Sequence, residues 1–202
     1  MTGEALTTAE ARKALRKEVR ERRNSLTINQ QVDAARSLAE RLDALTTERR
    51  TSRIAVYLTF DGELSTQATI DMFWEKGVQV YLPVLHPFRP GHLIFQQFLP
   101  TTPLVTNRLK IQEPPLSCPD ILPLNQFDII FTPLVAFDDR GNRLGMGGGF
   151  YDRTLAALQA AGKTKTSVIG LAHDCQQVTE LPTESWDMPL DEIITPTQHF
   201  QW

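Results

Sequence analysis

The chain has 202 residues, 41% hydrophobic and 22% charged, with a formal net charge of -3. That length suits one domain with a real core, and the slightly acidic balance excludes a surface built throughout for nucleic acid. No apolar run approaches the roughly 20 residues that span a bilayer, and Cys118 and Cys175 are too few for a disulfide framework, so the reducing cytoplasm is the expected compartment.

The first helix is predicted to open at Thr7, which stands in capping-box spacing with Glu10. Ala11, Ala14, Leu15 and Val19 make a thin apolar stripe. Around it run Arg12, Lys13, Arg16, Lys17, Arg20, Arg22 and Arg23, opposed only by Glu18 and Glu21. Such a run reads as a solvated face or as an anion site. A nucleic-acid-contacting helix is a third reading, weakened because no aromatic residues accompany the cations. Thr27 and Gln30 repeat the capping spacing and open a second helix, with Val32, Ala35, Leu38, Ala39, Leu42 and Leu45 at helical period.

The period then changes. Residues 54–60 (IAVYLTF) read as a buried strand, and Asp61-Gly62-Glu63 as the turn after it. Thr66 is placed to cap a helix that carries Ile70, Phe73 and Trp74 inward and stops at Gly77, and residues 78–82 form the next strand. Strand, helix, strand implies a parallel βαβ unit. Residues 93–98 read as a strand paired antiparallel, and the proline-rich 100–123 as a long surface connection. Strands at 127–134, 167–171 and 192–195 follow, with a helix at 154–161 stopped by Gly162. In open parallel sheets ligands bind beyond the carboxyl ends of the strands, which selects the connections at 61–66, 136–152 and 172–174. The expectation is one α/β domain over residues 1–202, its sheet mostly parallel and flanked by helices.

Residues 142–153 (NRLGMGGGFYDR) stand apart. Dense glycine costs chain entropy and is accepted where the backbone needs positive φ or a ligand must come close. Bare amides leading into a helix suit phosphate. A flexible linker is the alternative, and the Phe150-Tyr151 pair fits it poorly. A dinucleotide fingerprint from Gly145 would need glycine at Phe150, and a Walker loop ending at 162–164 would need one at Ala157. A helix stop explains Gly162 better. His86, His92, His173 and His199 show no zinc spacing, and adjacency alone does not make His173-Asp174-Cys175 a nucleophilic pair. What remains is an anion and metal set. Amides at Gly147, Gly148 and Gly149, flanked by Arg143 and Arg153, suit phosphate, and Asp152 and Asp187 suit Mg²⁺. Asp152 can equally be a helix-start acid. Glu63 either grips N–H groups of a heterocycle or faces solvent in its turn. The residues alone indicate a nucleotide-dependent α/β enzyme without naming a substrate.

Residues 138–153 (DDRGNRLGMGGGFYDR) resemble the signature of the 5-formyltetrahydrofolate cyclo-ligases, also called methenyltetrahydrofolate synthetases. Ala11-Arg12-Lys13-Ala14-Leu15-Arg16, Glu63-Leu64-Ser65-Thr66 and Trp186-Asp187-Met188-Pro189-Leu190-Asp191 extend the likeness in the family's order. The resemblance implies a single α/β domain related to the sugar-phosphate isomerase and CoA-transferase folds. It also implies ATP- and Mg²⁺-dependent cyclisation of 5-formyltetrahydrofolate to 5,10-methenyltetrahydrofolate through a phosphorylated formyl (iminium phosphate) intermediate, with release of ADP and phosphate. ATP contacts carry over to Arg12, Lys13, Arg16, Arg143, Leu144, Gly145, Met146, Gly147, Gly148, Gly149, Phe150 and Tyr151. Folate contacts carry over to Leu58, Glu63, Met146, Gly147, Gly148, Gly149 and Phe150, and metal ligands to Asp152 and Asp187.

No nucleophile is implied; the amides of Gly147, Gly148 and Gly149 would stabilise the transition state. Some members carry Arg and Lys where this chain has Met146 and Gly148, so phosphate charge would be met by the first helix, Arg143, Arg153 and the metal. Phe150 replaces a common tyrosine. The expected partners are folate and ATP, with no nucleic acid and no membrane, and the expected state is a cytoplasmic monomer. A sugar-phosphate isomerase or acyl-CoA transferase of the same fold, and a nucleic-acid-binding module, are the alternatives.

Overall fold

Local capping sets the first two helices. In α1 (Thr8–Asn24) the Glu10 N–H donates to the Thr7 hydroxyl at 3.3 Å and the Thr7 N–H donates to the Glu10 carboxylate at 3.0 Å. In α2 (Ile28–Glu48) Thr27 and Gln30 make the same reciprocal pair. The computed structural model describes residues 7–160, 162 and 165–202.

After α2 come β1 (Arg53–Ala55), α3 (Gln67–Glu75), β2 (Gln79–Leu85), β3 (Leu93–Gln97), β4 (Val105–Thr106), β5 (Gln112–Glu113) and β6 (Ile121–Leu122). The chain continues through β7 (Ile129–Pro133), β8 (Ala136–Phe137), β9 (Arg143–Leu144), α4 (Phe150–Ala160), β10 (Ser167–Leu171), β11 (Glu192–Ile194) and β12 (His199–Gln201). One sheet has the order β12-β11-β10-β7-β1-β2-β3-β6, and β4-β5 and β8-β9 form separate hairpins. The central run from β11 to β2 is parallel, with Ile54 beside both Val80 and Ile129. Toward the two edges, β12, β3 and β6 pair antiparallel.

Strand alternation divides the core between the faces of the sheet. Ile54, Val80, Ile129, Phe131 and Ile169 pack with Leu38 and Leu42 of α2 and with Ile70 and Phe73 of α3. Ala55, Tyr81, Phe95 and Ile130 pack with Phe127 and with Leu158 of α4. The rings of Tyr81 and Phe95 meet Phe127 edge-on at 5.1 and 5.6 Å.

Several elements differ from expectation. β1 is shorter than 54–60: Val56 N–H still donates to the Tyr81 carbonyl at 2.9 Å, and the chain then leaves the ladder for a turn with φ of 52° at Asp61 and 72° at Gly62. Thr66 makes no side-chain cap on α3; its hydroxyl donates to the Tyr57 carbonyl at 2.6 Å and ties that turn down. α4 begins at Phe150 rather than Thr154, directly after Gly149 with φ of 64°. Ala161, its expected last residue, lies outside the described residues, as do Lys163 and Thr164. The 100–123 connection carries the β4-β5 hairpin, a 3-10 turn and edge strand β6. β12 was not foreseen. Among the described residues no helix is long and apolar enough to cross a membrane.

Candidate active site

The carboxyl ends of β1, β2 and β7 converge on a cavity of about 220 Å³, lined there by Tyr57 and Leu58, by Leu82 and Leu85, and by Pro133. Leu109 and Ile111 of the β4-β5 hairpin and Phe150 and Tyr151 of α4 complete its apolar surface. A second, more polar pocket of about 500 Å³ is lined by Arg12 and Arg16 of α1, by Gly147 and Arg153, and by Trp186 and Asp187. Gly145, Gly149 and Asp152 border both spaces. The glycine turn is therefore the wall between them.

Packing holds that wall in place. Leu144, paired with Ala136 across β8 and β9, is buried with Val19 of α1, Val135 and Leu181. Gly147 and Gly149 take φ of 99° and 64°, conformations that side-chain-bearing residues avoid. Arg16 Nε donates to the Gly145 carbonyl at 2.8 Å, and Arg153 Nη2 donates to the Gly148 carbonyl. With those carbonyls held by guanidinium groups, the amides of Gly147, Gly148 and Gly149 donate to no acceptor among the described residues. They stand at the N-terminus of α4, whose own first amides lack intrahelical partners, so the turn presents a row of donors suited to an anion.

The flanking charges are paired. Arg143, 4% exposed, donates from Nη2 to Asp152 Oδ1 at 2.6 Å. Burial lowers the Arg143 pKa, and the Asp152 charge opposes that shift. Asp187 accepts from both terminal nitrogens of Arg12, with Nη2 to Oδ1 at 2.9 Å, and its Oδ2 also accepts from the Glu184 N–H at 2.8 Å. Burial pushes the Asp187 carboxyl up, but those hydrogen bonds hold it below the usual range. The hydrogen bond to Asp187 raises the pKa of Arg12.

On the apolar side Glu63 is 8% exposed and accepts from the Phe60 N–H at 3.1 Å. Burial pushes its pKa up to about 7, partly opposed by Arg23. The Tyr151 hydroxyl is buried with no partner among the described residues, and burial together with the Glu63 charge raises its pKa. Arg23, fully buried, donates from Nε to the Asp61 carbonyl at 2.9 Å and from Nη2 to Asp61 Oδ2 at 2.8 Å. Arg20 binds the same carboxylate at 2.7 and 3.0 Å.

The sequence model of the 5-formyltetrahydrofolate cyclo-ligase family matches residues 8–196. The chain belongs to that family. The cyclo-ligase of Escherichia coli K12 is 50% identical over 184 residues, covering 91% of this chain and 100% of the relative. That of Haemophilus influenzae is 50% identical over 184 residues, covering 91% and 96%. The solved 5,10-methenyltetrahydrofolate synthetase of Aquifex aeolicus matches with a TM-score of 0.78 at 25% identity, over 94% of this chain and 92% of that one. The synthetase from Mycoplasma pneumoniae shares the fold, with a TM-score of 0.72 at 24% identity over 92% and 98%. As a cyclo-ligase family member the protein is an enzyme, a ligase of folate metabolism.

The cyclo-ligase motifs meet around the wall, but not as one undivided set. Arg12, Arg16, Gly145, Gly147 and Gly149 face the polar pocket, as expected for ATP, and Leu58 and Glu63 face the apolar cavity, as expected for folate. Met146, Gly148 and Phe150, expected at both ligands, and Tyr151, expected at ATP, line only the apolar cavity. Gly147, also expected at folate, lines only the polar pocket. Arg143, expected at ATP, reaches the apolar cavity. Lys13 is exposed and borders neither space, and Leu144 is core.

Asp152 keeps one carboxylate oxygen free of hydrogen bonds among the described residues, whereas both oxygens of Asp187 are engaged. No three His, Cys, Asp or Glu side chains form a metal cage among the described residues. A hard cation would thus rest on one carboxylate plus ligand oxygens and water, which is how Mg²⁺ usually sits on nucleotides. Asp152 fits that role; Asp187 as arranged is an anchor for Arg12. The sequence reading missed Arg20 and Arg23, because a helix charge run carries no sign of a partner near residue 61.

Proposed function

We propose that the enzyme converts 5-formyltetrahydrofolate and ATP to 5,10-methenyltetrahydrofolate, ADP and phosphate, with Mg²⁺, in the cytoplasm. The observation that carries this reading is the single glycine turn with an apolar cavity on one side and a polar, arginine-lined pocket on the other. A pterin suits the first space, with its ring N–H groups toward Glu63, and a triphosphate suits the second. The shared border at Gly145, Gly149 and Asp152 is then where a formyl oxygen can meet a terminal phosphate.

A formyl amide is a poor electrophile for N10. Transfer of the terminal phosphoryl group to the formyl oxygen gives an iminium phosphate and ADP. N10 attacks the formyl carbon, its proton is lost, and the carbon–oxygen bond breaks as phosphate leaves. Phosphoryl transfer relies on positioning and charge neutralisation. The free amides of Gly147, Gly148 and Gly149 with Arg16 supply both. Mg²⁺, held by Asp152 and phosphate oxygens, would neutralise further charge during the transfer. Arg143 keeps Asp152 aimed at the border.

The test is direct: purified protein with 5-formyltetrahydrofolate, ATP and Mg²⁺ produces the near-ultraviolet absorption of the methenyl product, and omission of any of the three abolishes it. Absence of product with all three present contradicts the reading.

A further inference from the structure

The phosphate reading accounts for the arginines and glycine amides of the polar pocket but not for its aromatic wall. We infer that Trp186 is the stacking platform for the nucleobase of ATP, an assignment that rests on the ATP reading above and adds the base subsite to it.

Trp186 is 65% exposed and lines the polar pocket. Its indole N–H has no acceptor among the described residues, whereas Trp74 and Trp202 donate theirs to the carbonyls of Phe98 and Asp139. Elsewhere the same pocket is bordered by Ala9 and Ala156, whose methyl groups leave room beside the ring. The pocket's volume of about 500 Å³ falls within the ~300–1,000 Å³ of small-molecule sites, more than a triphosphate alone requires.

The backbone that carries the ring is also held in advance of binding. The Asp187 N–H donates to the Glu184 carbonyl at 3.0 Å, and the Glu184 N–H returns to Asp187 Oδ2 at 2.8 Å, closing a turn around Trp186. Arg12 fastens that turn to α1 through both oxygens of Asp187. A turn fixed in this way has little backbone freedom left to lose when a base stacks on the ring it carries. Asp187 thereby acquires a purpose other than metal binding: it positions the segment that carries the tryptophan and the cation beside it.

The experiment compares ATP with inorganic tripolyphosphate, which has the charge but no base. Binding of each is measured by calorimetry to the wild type, Trp186→Ala and Trp186→Phe. The alanine variant should weaken ATP about tenfold or more, as loss of base–aromatic stacking does. It should leave tripolyphosphate within about twofold, and the phenylalanine variant should recover most of the ATP affinity. ATP, but not tripolyphosphate, should quench tryptophan emission in the wild type, and the quench should disappear in Trp186→Phe. Equal losses of ATP and tripolyphosphate in the alanine variant overturn the inference, since Trp186 would then only support the turn. No loss of either also overturns it. A wild type that binds neither ligand overturns the nucleotide reading beneath it.

Discussion

Arg143 and Asp152 join the two ends of the glycine turn: Nη2 of the arginine, in β9, donates to Oδ1 of the aspartate, in the first turn of α4, at 2.6 Å. The guanidinium is buried and its Nε has no partner among the described residues. The pair both closes the wall and fixes the acid that borders the two pockets. Breaking a buried ion pair costs roughly 3–5 kcal/mol. Because the Asp152 side chain is 20% exposed, Arg143→Ala should cost about 3 kcal/mol in urea unfolding, the low end of that range. A loss below about 1 kcal/mol would mean that the pair behaves as a surface contact.

The two candidate metal acids should separate by titration. Asp152→Asn should raise the Mg²⁺ concentration for half-maximal rate by about tenfold or more, because the carboxylate charge that would hold the cation is lost. Asp187→Asn should leave the Mg²⁺ requirement within about twofold and raise the KM for ATP, because it releases Arg12 from a charge-assisted bidentate pair. The reverse pattern would return the metal to Asp187.

Glu63 predicts a pH signature. Its folded pKa of about 7 lies above the ordinary 4.5. Between those values the folded protein keeps a proton that the unfolded chain has released, so this group's contribution to stability falls as pH rises through the window. The shift corresponds to a loss of about 3 kcal/mol. Glu63→Gln removes the titration, so the ligand-free variant should gain about that much relative to the wild type between about pH 4 and about pH 8. Parallel stability profiles for the two proteins would contradict the buried placement of this acid.

Neighbouring glycines should fail in different ways. A Cβ at Gly147 would lie 3.6 Å from the Arg16 guanidinium carbon, on a backbone with φ of 99°, in the polar pocket. A Cβ at Gly148 would come within 2.8 Å of the Phe150 ring, beside the apolar cavity. Gly147→Ala should therefore raise the KM for ATP much more than that for folate, and Gly148→Ala should do the opposite. Equal effects on both substrates would show that the turn is not a partition.

The parts of this structure that are local in sequence were legible from it. Thr7 with Glu10 and Thr27 with Gln30 start their helices where capping chemistry puts them, and residues 167–171 form the expected strand. The parts that depend on distant partners were not. Arg23 looked like one more cation on a charged helix, yet it is buried against Asp61, a residue with no local link to it. Thr66 looked like a helix cap, yet the Tyr57 carbonyl takes its hydroxyl. The glycine turn stood out in the sequence as a candidate phosphate cradle, but its composition does not reveal that Gly147 faces one pocket and Gly148 the other.

In the proposed reaction the wall between the pockets matters most at one atom, the formyl oxygen that would cross from folate to phosphate. It can be followed by labelling that oxygen with oxygen-18 and running turnover in ordinary water. The released phosphate should carry the label, one atom for each methenyltetrahydrofolate formed, because the formyl oxygen accepts the phosphoryl group and departs with it. Unlabelled phosphate, with the oxygen-18 recovered in water, would contradict the account.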